Sequence, residues 1–320
     1  MTARIATRGS RLALWQAEHV RRQLAERCGL ESEIVVIKTS GDRFAQAAVG
    51  ELGVKGVFVK ELEEALLDGR ADLAVHSMKD VPTEVDSRFS FPAALRREDP
   101  RDCLVSRAPE SGKPGAAGAG LAGLAAEARV GTSSVRRQAQ LRHLRSDLQI
   151  LPLRGNIDTR LAKLDAGEYD AIVVAKAGLD RLGLSARITH VFPAETMLPA
   201  AGQGVLGVET RAGDPQFCKL VATLADPEAR AAVNAERALL AELEGGCQVP
   251  IGAWARQQDN RFVLDACVVS PDGSEYIRLS AEAAADELSN PRTPLELGQE
   301  LGRRLREAGA DRILERMGRR

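Results

Sequence analysis

Strand-length apolar runs that end in a turn bearing glycine and arginine, then give way to helical periodicity, recur through the first part of this 320-residue chain. Arg4 to Arg8 reads as a strand, and Gly9-Ser10 leads into a helix with Ala13, Ala17, Val20 and Leu24 on one face. Glu33 to Thr39 reads as a second strand, and Val57 to Gly69 as a helix with Leu62, Ala65 and Leu66 inward. The unit returns with Arg129-Val130-Gly131 ahead of Thr132 to Arg137, with Ile150 to Leu153 ahead of Arg154-Gly155-Asn156, and with Ala171 to Ala175 ahead of Gly178 to Arg181. Such alternation predicts α/β architecture with parallel sheets, whose ligands bind beyond the carboxyl ends of the strands. Arg8, Arg136, Arg137 and Arg154 fall at those ends, which points to a polyanionic ligand held in a cleft between two α/β domains.

That cationic character has to be local. Lys plus Arg (44) and Asp plus Glu (45) nearly cancel, leaving a net charge of -1, and aromatic residues make up 3%. A nucleic-acid-binding surface needs a basic field with stacking rings, so that class is set aside. No apolar signal region opens the chain and no later run approaches membrane-spanning length, which predicts a cytoplasmic protein with no membrane partner. The five cysteines are widely spaced with no Cys-x-x-Cys pair, as expected of reduced thiols, and the four histidines show no metal-ligand spacing.

The stretch Ala71 to Pro82 carries the sharpest chemistry. Its first half alternates like a short strand and Pro82 breaks it, so Lys79 and Asp80 are expected at a strand-to-turn edge. A cation beside a carboxylate there can bind an anion and stabilise developing positive charge, although a solvated turn would read the same way. Ser10 stands either as a helix cap or, with Arg8, as part of an anion pocket at a helix amino terminus. Ser40 to Gly56 is a candidate mobile loop, with Lys55 and Lys60 flanking the next helix start. The charged break Arg96 to Asp102 is expected to be a domain crossing, and the Gly/Ala-rich segment Ser111 to Ala126 a surface insertion. Leu198 to Glu209 is a Gly-rich turn entering a strand that could return the chain to the first domain. From Asp226 on, a helix to Leu243, strands at Val263 to Val269 and Tyr276 to Leu279, and a helix bearing Leu297, Leu301 and Leu305 predict a small α+β domain. Its Gly245-Gly246-Cys247 loop lets backbone approach the cysteine closely, where a free cysteine is more commonly a small buried hydrophobe.

The segments RIATRGSRLALWQ, KGVFVKELE, ADLAVHSMKDVP, GTSSVRRQ, LRGNIDTRL, YDAIVVAKAGLDRLGL, LPAAGQG and LEGGCQVPIG, in this order and spacing, resemble the porphobilinogen deaminase (hydroxymethylbilane synthase) family over nearly the whole chain. The resemblance implies two domains like those of type II periplasmic binding proteins, a third small domain, and a monomer. Placed on this sequence, the divisions would be residues 1–98 with 203–223, 99–202, and 224–320. It implies stepwise condensation of four porphobilinogen molecules, with loss of ammonia, onto a dipyrromethane cofactor attached through a thioether at Cys247, then hydrolytic release of hydroxymethylbilane. Asp80 matches the catalytic carboxylate. Lys79, Arg136, Arg137, Arg154, Ser134, Thr132 and Ser77 match cofactor-binding positions, and Arg8, Ser10, Arg154, Arg160, Arg181, Gln203 and Lys55 substrate-binding ones. No metal is implied.

One departure is Glu51, where the family often has lysine, which reverses a charge in the candidate loop. A second reading is a cytosolic small-anion-binding protein of the same fold, which would use the arginines but have no need of Asp80 or Cys247.

Overall fold

The computed structural model describes residues 2–38, 59–107, 120–244 and 249–318. The chain divides into two compact units, residues 1–98 with 204–233, and residues 99–203 with 234–320.

In the first unit, β1 (Ala3–Thr7), β2 (Ser32–Val36), β3 (Leu73–Ser77), β4 (Phe89–Ala94) and β10 (Leu206–Arg211) form a sheet in the order β2-β1-β3-β10-β4. β1 runs parallel to β2 and β3, while β10 is antiparallel to both its neighbours. Alternation along the strands sorts the core onto two faces. Ile5, Leu73, Val75 and Val208 pack with Ala17, Val20 and Leu24 of helix α1 (Arg11–Cys28). Ala6 and Ala74 pack with Leu62, Ala65 and Leu66 of α2 (Lys60–Leu67) on the other. Strand β4 contains Pro92 and went unread in the sequence; it lies at the sheet edge, where a missing N–H costs no ladder bond.

The second unit repeats the design. β5 (Asp102–Ser106), β6 (Arg129–Gly131), β7 (Gln149–Leu151), β8 (Ala171–Ala175) and β9 (His190–Val191) lie in the order β7-β6-β8-β5-β9, with β6 parallel to β7 and β8, and β5 antiparallel to β8. Helices α3 (Val135–Leu144) and α4 (Ile157–Asp165) make the crossovers, and α5 (Lys176–Arg181) leaves β8 directly. The two five-stranded sheets therefore share one strand order, each with an antiparallel fourth strand. A separate antiparallel sheet, β11 (Ile251–Gln258), β12 (Arg261–Val269) and β13 (Tyr276–Ala284), packs against α8 (Thr293–Glu307) through a face that includes the buried Leu297, Leu301 and Leu305, and α9 (Ala310–Gly318) follows. Helix α7 (Pro227–Glu242) begins in the first unit and ends in the second, and α6 (Pro215–Ala222) belongs to the first. This is the α/β architecture with a smaller α+β part that the pattern predicts.

The expected surface insertion needs correcting in part. Residues 108–119 lie outside the described residues, but Gly120 and Leu124 are buried, and Arg145 donates to the carbonyls of Leu121 and Leu124. Leu124, with Leu121 partly buried beside it, packs with Val130, Leu141 and Phe192 in a core that low complexity had masked.

Candidate active site

The sheet of the first unit brings several nominated residues to one edge. Arg8 and Ser10 follow β1; Ser77 ends β3, its parallel neighbour; Lys79 and Asp80 come next. After Ser77 the chain makes one turn of 3-10 helix, Met78–Asp80, anchored at both ends. Met78 and Val81 are buried with Val205 and Ala94, and Met78 N–H donates to the Val205 carbonyl at 3.0 Å. Gly207 opposite leaves room for Met78, whose Sδ would have to shift if a Cβ stood there. The anchors leave Lys79 half-buried and Asp80 exposed. Ser10 is the cap of α1, accepting from Ala13 N–H at 3.3 Å.

Behind this turn lies a pair that sequence reading missed. His76 Nε2 is 2.9 Å from Glu209 Oε2, both side chains are buried, and Glu209 Oε1 has no hydrogen-bond partner. The His76 ring meets Phe91 edge-on. Glu63 on α2 feels the same site: burial, then the Glu209 carboxylate, pushes its carboxyl above the ordinary range, against the opposing pull of His76.

In the second unit the nominated residues again follow parallel strands. Ser134 caps α3 through Arg137 N–H, and the buried Thr132 accepts from Ser134 N–H at 3.3 Å. Ser133 Oγ bridges to the carbonyl and the N–H of Leu153, both at 3.0 Å, and so ties this turn to the next one. There Arg154 is exposed, while Arg160 Nε donates to the Gly155 carbonyl at 2.8 Å. Arg181 is buried at the end of α5.

Arg136 and Arg137, nominated for anion binding, lie deeper than Arg154. Both are buried, and they converge on one fully buried carboxylate, Asp102, at the start of β5. Arg136 Nη1 donates to Asp102 Oδ2 at 2.7 Å and to the Leu198 carbonyl at 2.6 Å. Arg137 donates to Oδ1 through Nε at 3.0 Å and Nη2 at 2.7 Å, and through Nη1 to the Val173 carbonyl at 3.1 Å. Gln203 Nε2 adds a bond to Oδ1 at 2.8 Å and one to the Pro100 carbonyl at 2.6 Å. Burial alone would push the Asp102 carboxyl up; the two guanidiniums overcome it and hold it well below the ordinary carboxylate range. Two guanidiniums against one carboxylate leave positive charge uncompensated, and Arg136 Nε is buried with no partner. The sequence signal for Asp102 is slight: an acid placed immediately before the apolar run Cys103-Leu104-Val105.

Lys55 and Cys247 lie outside the described residues. Among the described residues no group of His, Cys, Asp and Glu could hold a metal ion, and no helix is long and apolar enough to cross a membrane.

Comparison with known proteins decides the family. Residues 3–219 match the family model "Porphobilinogen deaminase, dipyromethane cofactor binding domain", and residues 230–307 match "Porphobilinogen deaminase, C-terminal domain". The chain belongs to the porphobilinogen deaminase family. It is 47% identical over 317 residues to the porphobilinogen deaminase of Desulforudis audaxviator (strain MP104C), covering 98% of this chain and 97% of that one. It is 48% identical over 307 residues to that of Chromobacterium violaceum, covering 96% and 94%. Among solved structures, a periplasmic substrate-binding protein of an ABC transporter from Coxiella burnetii is similar at 16% identity over 71% of this chain and 93% of that one, with a TM-score of 0.42.

Proposed function

We propose that this chain catalyses the porphobilinogen deaminase reaction, a transferase reaction: four porphobilinogen molecules are joined head to tail with loss of ammonia at each step, and hydrolysis then releases hydroxymethylbilane. The observation that carries this reading is the pair of family models running over residues 3–219 and 230–307, which include the Lys79-Asp80 turn and the Arg136-Arg137 pair. The dipyrromethane cofactor, attached at Cys247, supplies the primer end on which the chain is extended.

The residues present fit such a group. It carries carboxylates, and the Asp102 cluster holds two guanidiniums to one carboxylate with a buried Arg136 Nε unspent. In this reading Arg136, Arg137, Lys79 and the hydroxyls of Thr132, Ser134 and Ser77 bind the cofactor. Arg8, Ser10, Arg160, Arg181, Gln203 and Lys55 bind substrate, and Arg154 serves both. Asp80, exposed on a turn whose neighbours are locked in the core, stabilises positive charge that develops on pyrrole nitrogen as ammonia leaves, and it can hold or return a proton there. Three domains, residues 1–98 with 203–223, 99–202, and 224–320, belong to the same reading, the last bearing the Cys247 loop. So do a cytoplasmic location and a monomer whose partner is porphobilinogen rather than nucleic acid or membrane; the net charge of -1 supports only the last point, since it offers no overall attraction to a polyanion.

Asp80→Asn tests the role of the carboxylate. The variant is expected to fold, to carry the cofactor mass, and to lose turnover by at least about 10²-fold, the scale of a general acid–base or electrostatic contribution. Turnover within a few-fold of the parent chain would remove Asp80 from the mechanism.

A further inference from the structure

We propose that Asp102 is a positioning residue: its buried carboxylate fixes the orientation of Arg136 and Arg137 and thereby sets how they meet a ligand carboxylate. The inference rests on the reading above, in which those arginines bind the cofactor.

The geometry separates this role from simple packing. Asp102 is fully buried and takes four hydrogen bonds from three residues, one to Oδ2 and three to Oδ1. Arg137 meets it with both Nε and Nη2, a side-on fork that fixes the guanidinium plane; Arg136 meets it through Nη1 alone, which leaves Nε buried and unspent. An arrangement serving stability alone would be met as well by apolar side chains, or by balanced charge. Here two like charges are held together by one anion. That imbalance is a liability in a core and an asset in a receptor, because a ligand carboxylate supplies the missing negative charge. Removing Asp102 would leave the guanidiniums to repel one another and turn away. Gln203, on the segment following Leu198, is fastened to the same carboxylate, so the orientation also depends on where that segment runs.

The test uses full-length chain prepared without cofactor and incubated with porphobilinogen, with intact mass reporting uptake of two linked pyrrole units. Asp102→Asn is compared with Leu104→Ala, a core truncation two residues along the same strand, at temperatures giving equal distance below each thermal midpoint. We expect Asp102→Asn to load at least about tenfold more slowly than Leu104→Ala. In the fraction that loads, KM for porphobilinogen should rise through Gln203, which Asp102 also holds and which is assigned to substrate, with kcat changed less than about threefold. If Asp102→Asn does not fold, Asp102→Glu carries the test: it keeps the charge, moves it by a methylene, and should show the same slowing. Loading of the folded Asp102 variant at the Leu104→Ala rate would overturn the proposal. A parent chain that takes up no mass would overturn the proposed function instead.

Discussion

The buried His76–Glu209 pair yields a prediction that can be worked from its geometry. Glu209 is fully buried, has one oxygen bonded to His76 at 2.9 Å, and has nothing on the other. His76→Leu removes the bonded partner and leaves a carboxylate stranded in the core, a change that costs about 3–5 kcal/mol. Glu209→Leu leaves the His76 ring without its bonded partner, at about 1–3 kcal/mol. Replacing both with leucine removes the need for pairing, so the double variant should return to within about 1 kcal/mol of the parent. Trp15 sits on α1 of the first unit and Trp254 on β11 of the second, so a Trp254→Phe background lets fluorescence follow the first unit alone in urea. With a urea slope of about 2 kcal/mol/M, His76→Leu should lower the midpoint by about 1.5–2.5 M. Acid should narrow the gap, because losing His76 removes a pull that lowers the Glu63 carboxyl and so leaves that carboxyl raised further in the variant than in the parent. The Glu63 carboxyl is raised by burial and by Glu209. A carboxyl raised in the folded chain favours folding most below its ordinary pKa, and that contribution is lost as pH rises through the folded value. A His76→Leu midpoint within 0.5 M of the parent (about 1 kcal/mol at that slope), or a double variant as unstable as the two singles summed, would refute the reasoning.

Other expectations follow from packing and thiol chemistry. A Cβ at Gly298 on α8 would stand 2.2 Å from the Ala235 carbonyl oxygen and 2.8 Å from Ala238 Cβ on α7. Gly298→Ala should therefore pry these helices apart and cost about 1–3 kcal/mol, read as a lowered thermal midpoint; an unchanged midpoint would contradict the close helix contact. Burial, foremost, pushes the Cys103 thiol up to about 12 and the Cys267 thiol up to about 11. Both should resist iodoacetamide at pH 8 in the native chain and react fully in denaturant, which peptide mapping resolves; rapid native labelling of either would contradict their burial.

Much of the fold was legible because alternation and helical period coincide with burial. Of the inward faces expected, Ala17, Val20 and Leu24, then Leu62, Ala65 and Leu66, then Leu297, Leu301 and Leu305 are buried, while Ala13, expected with the first set, is half-buried. Strand β11 was harder to see, since its outward half, Trp254, Arg256 and Gln258, is polar or amphipathic, and Arg256 lies over the Trp254 ring. The position of the Lys79-Asp80 turn could be read from Pro82 and from the end of alternation. What could not be read were the buried acids. Asp102, Glu209 and Glu236 look like surface carboxylates in sequence, yet each is fixed by partners far away along the chain. Glu236 accepts from Gly202 N–H and Ala255 N–H, a role visible only once the chain is folded. Ser10 and Ser134 illustrate the opposite ambiguity, because a cap and an anion-pocket hydroxyl share one sequence signature.

The central claim is that this chain builds its cofactor on Cys247 and extends it. Intact mass of the purified chain under denaturing conditions, beside Cys247→Ala, addresses it most directly, with peptide mapping to place any added mass and porphobilinogen added first if the chain is isolated bare. The account predicts an adduct of two linked pyrrole units on the Cys247 peptide and none in the variant. An unmodified parent chain after incubation, or an adduct that persists in Cys247→Ala, would contradict it.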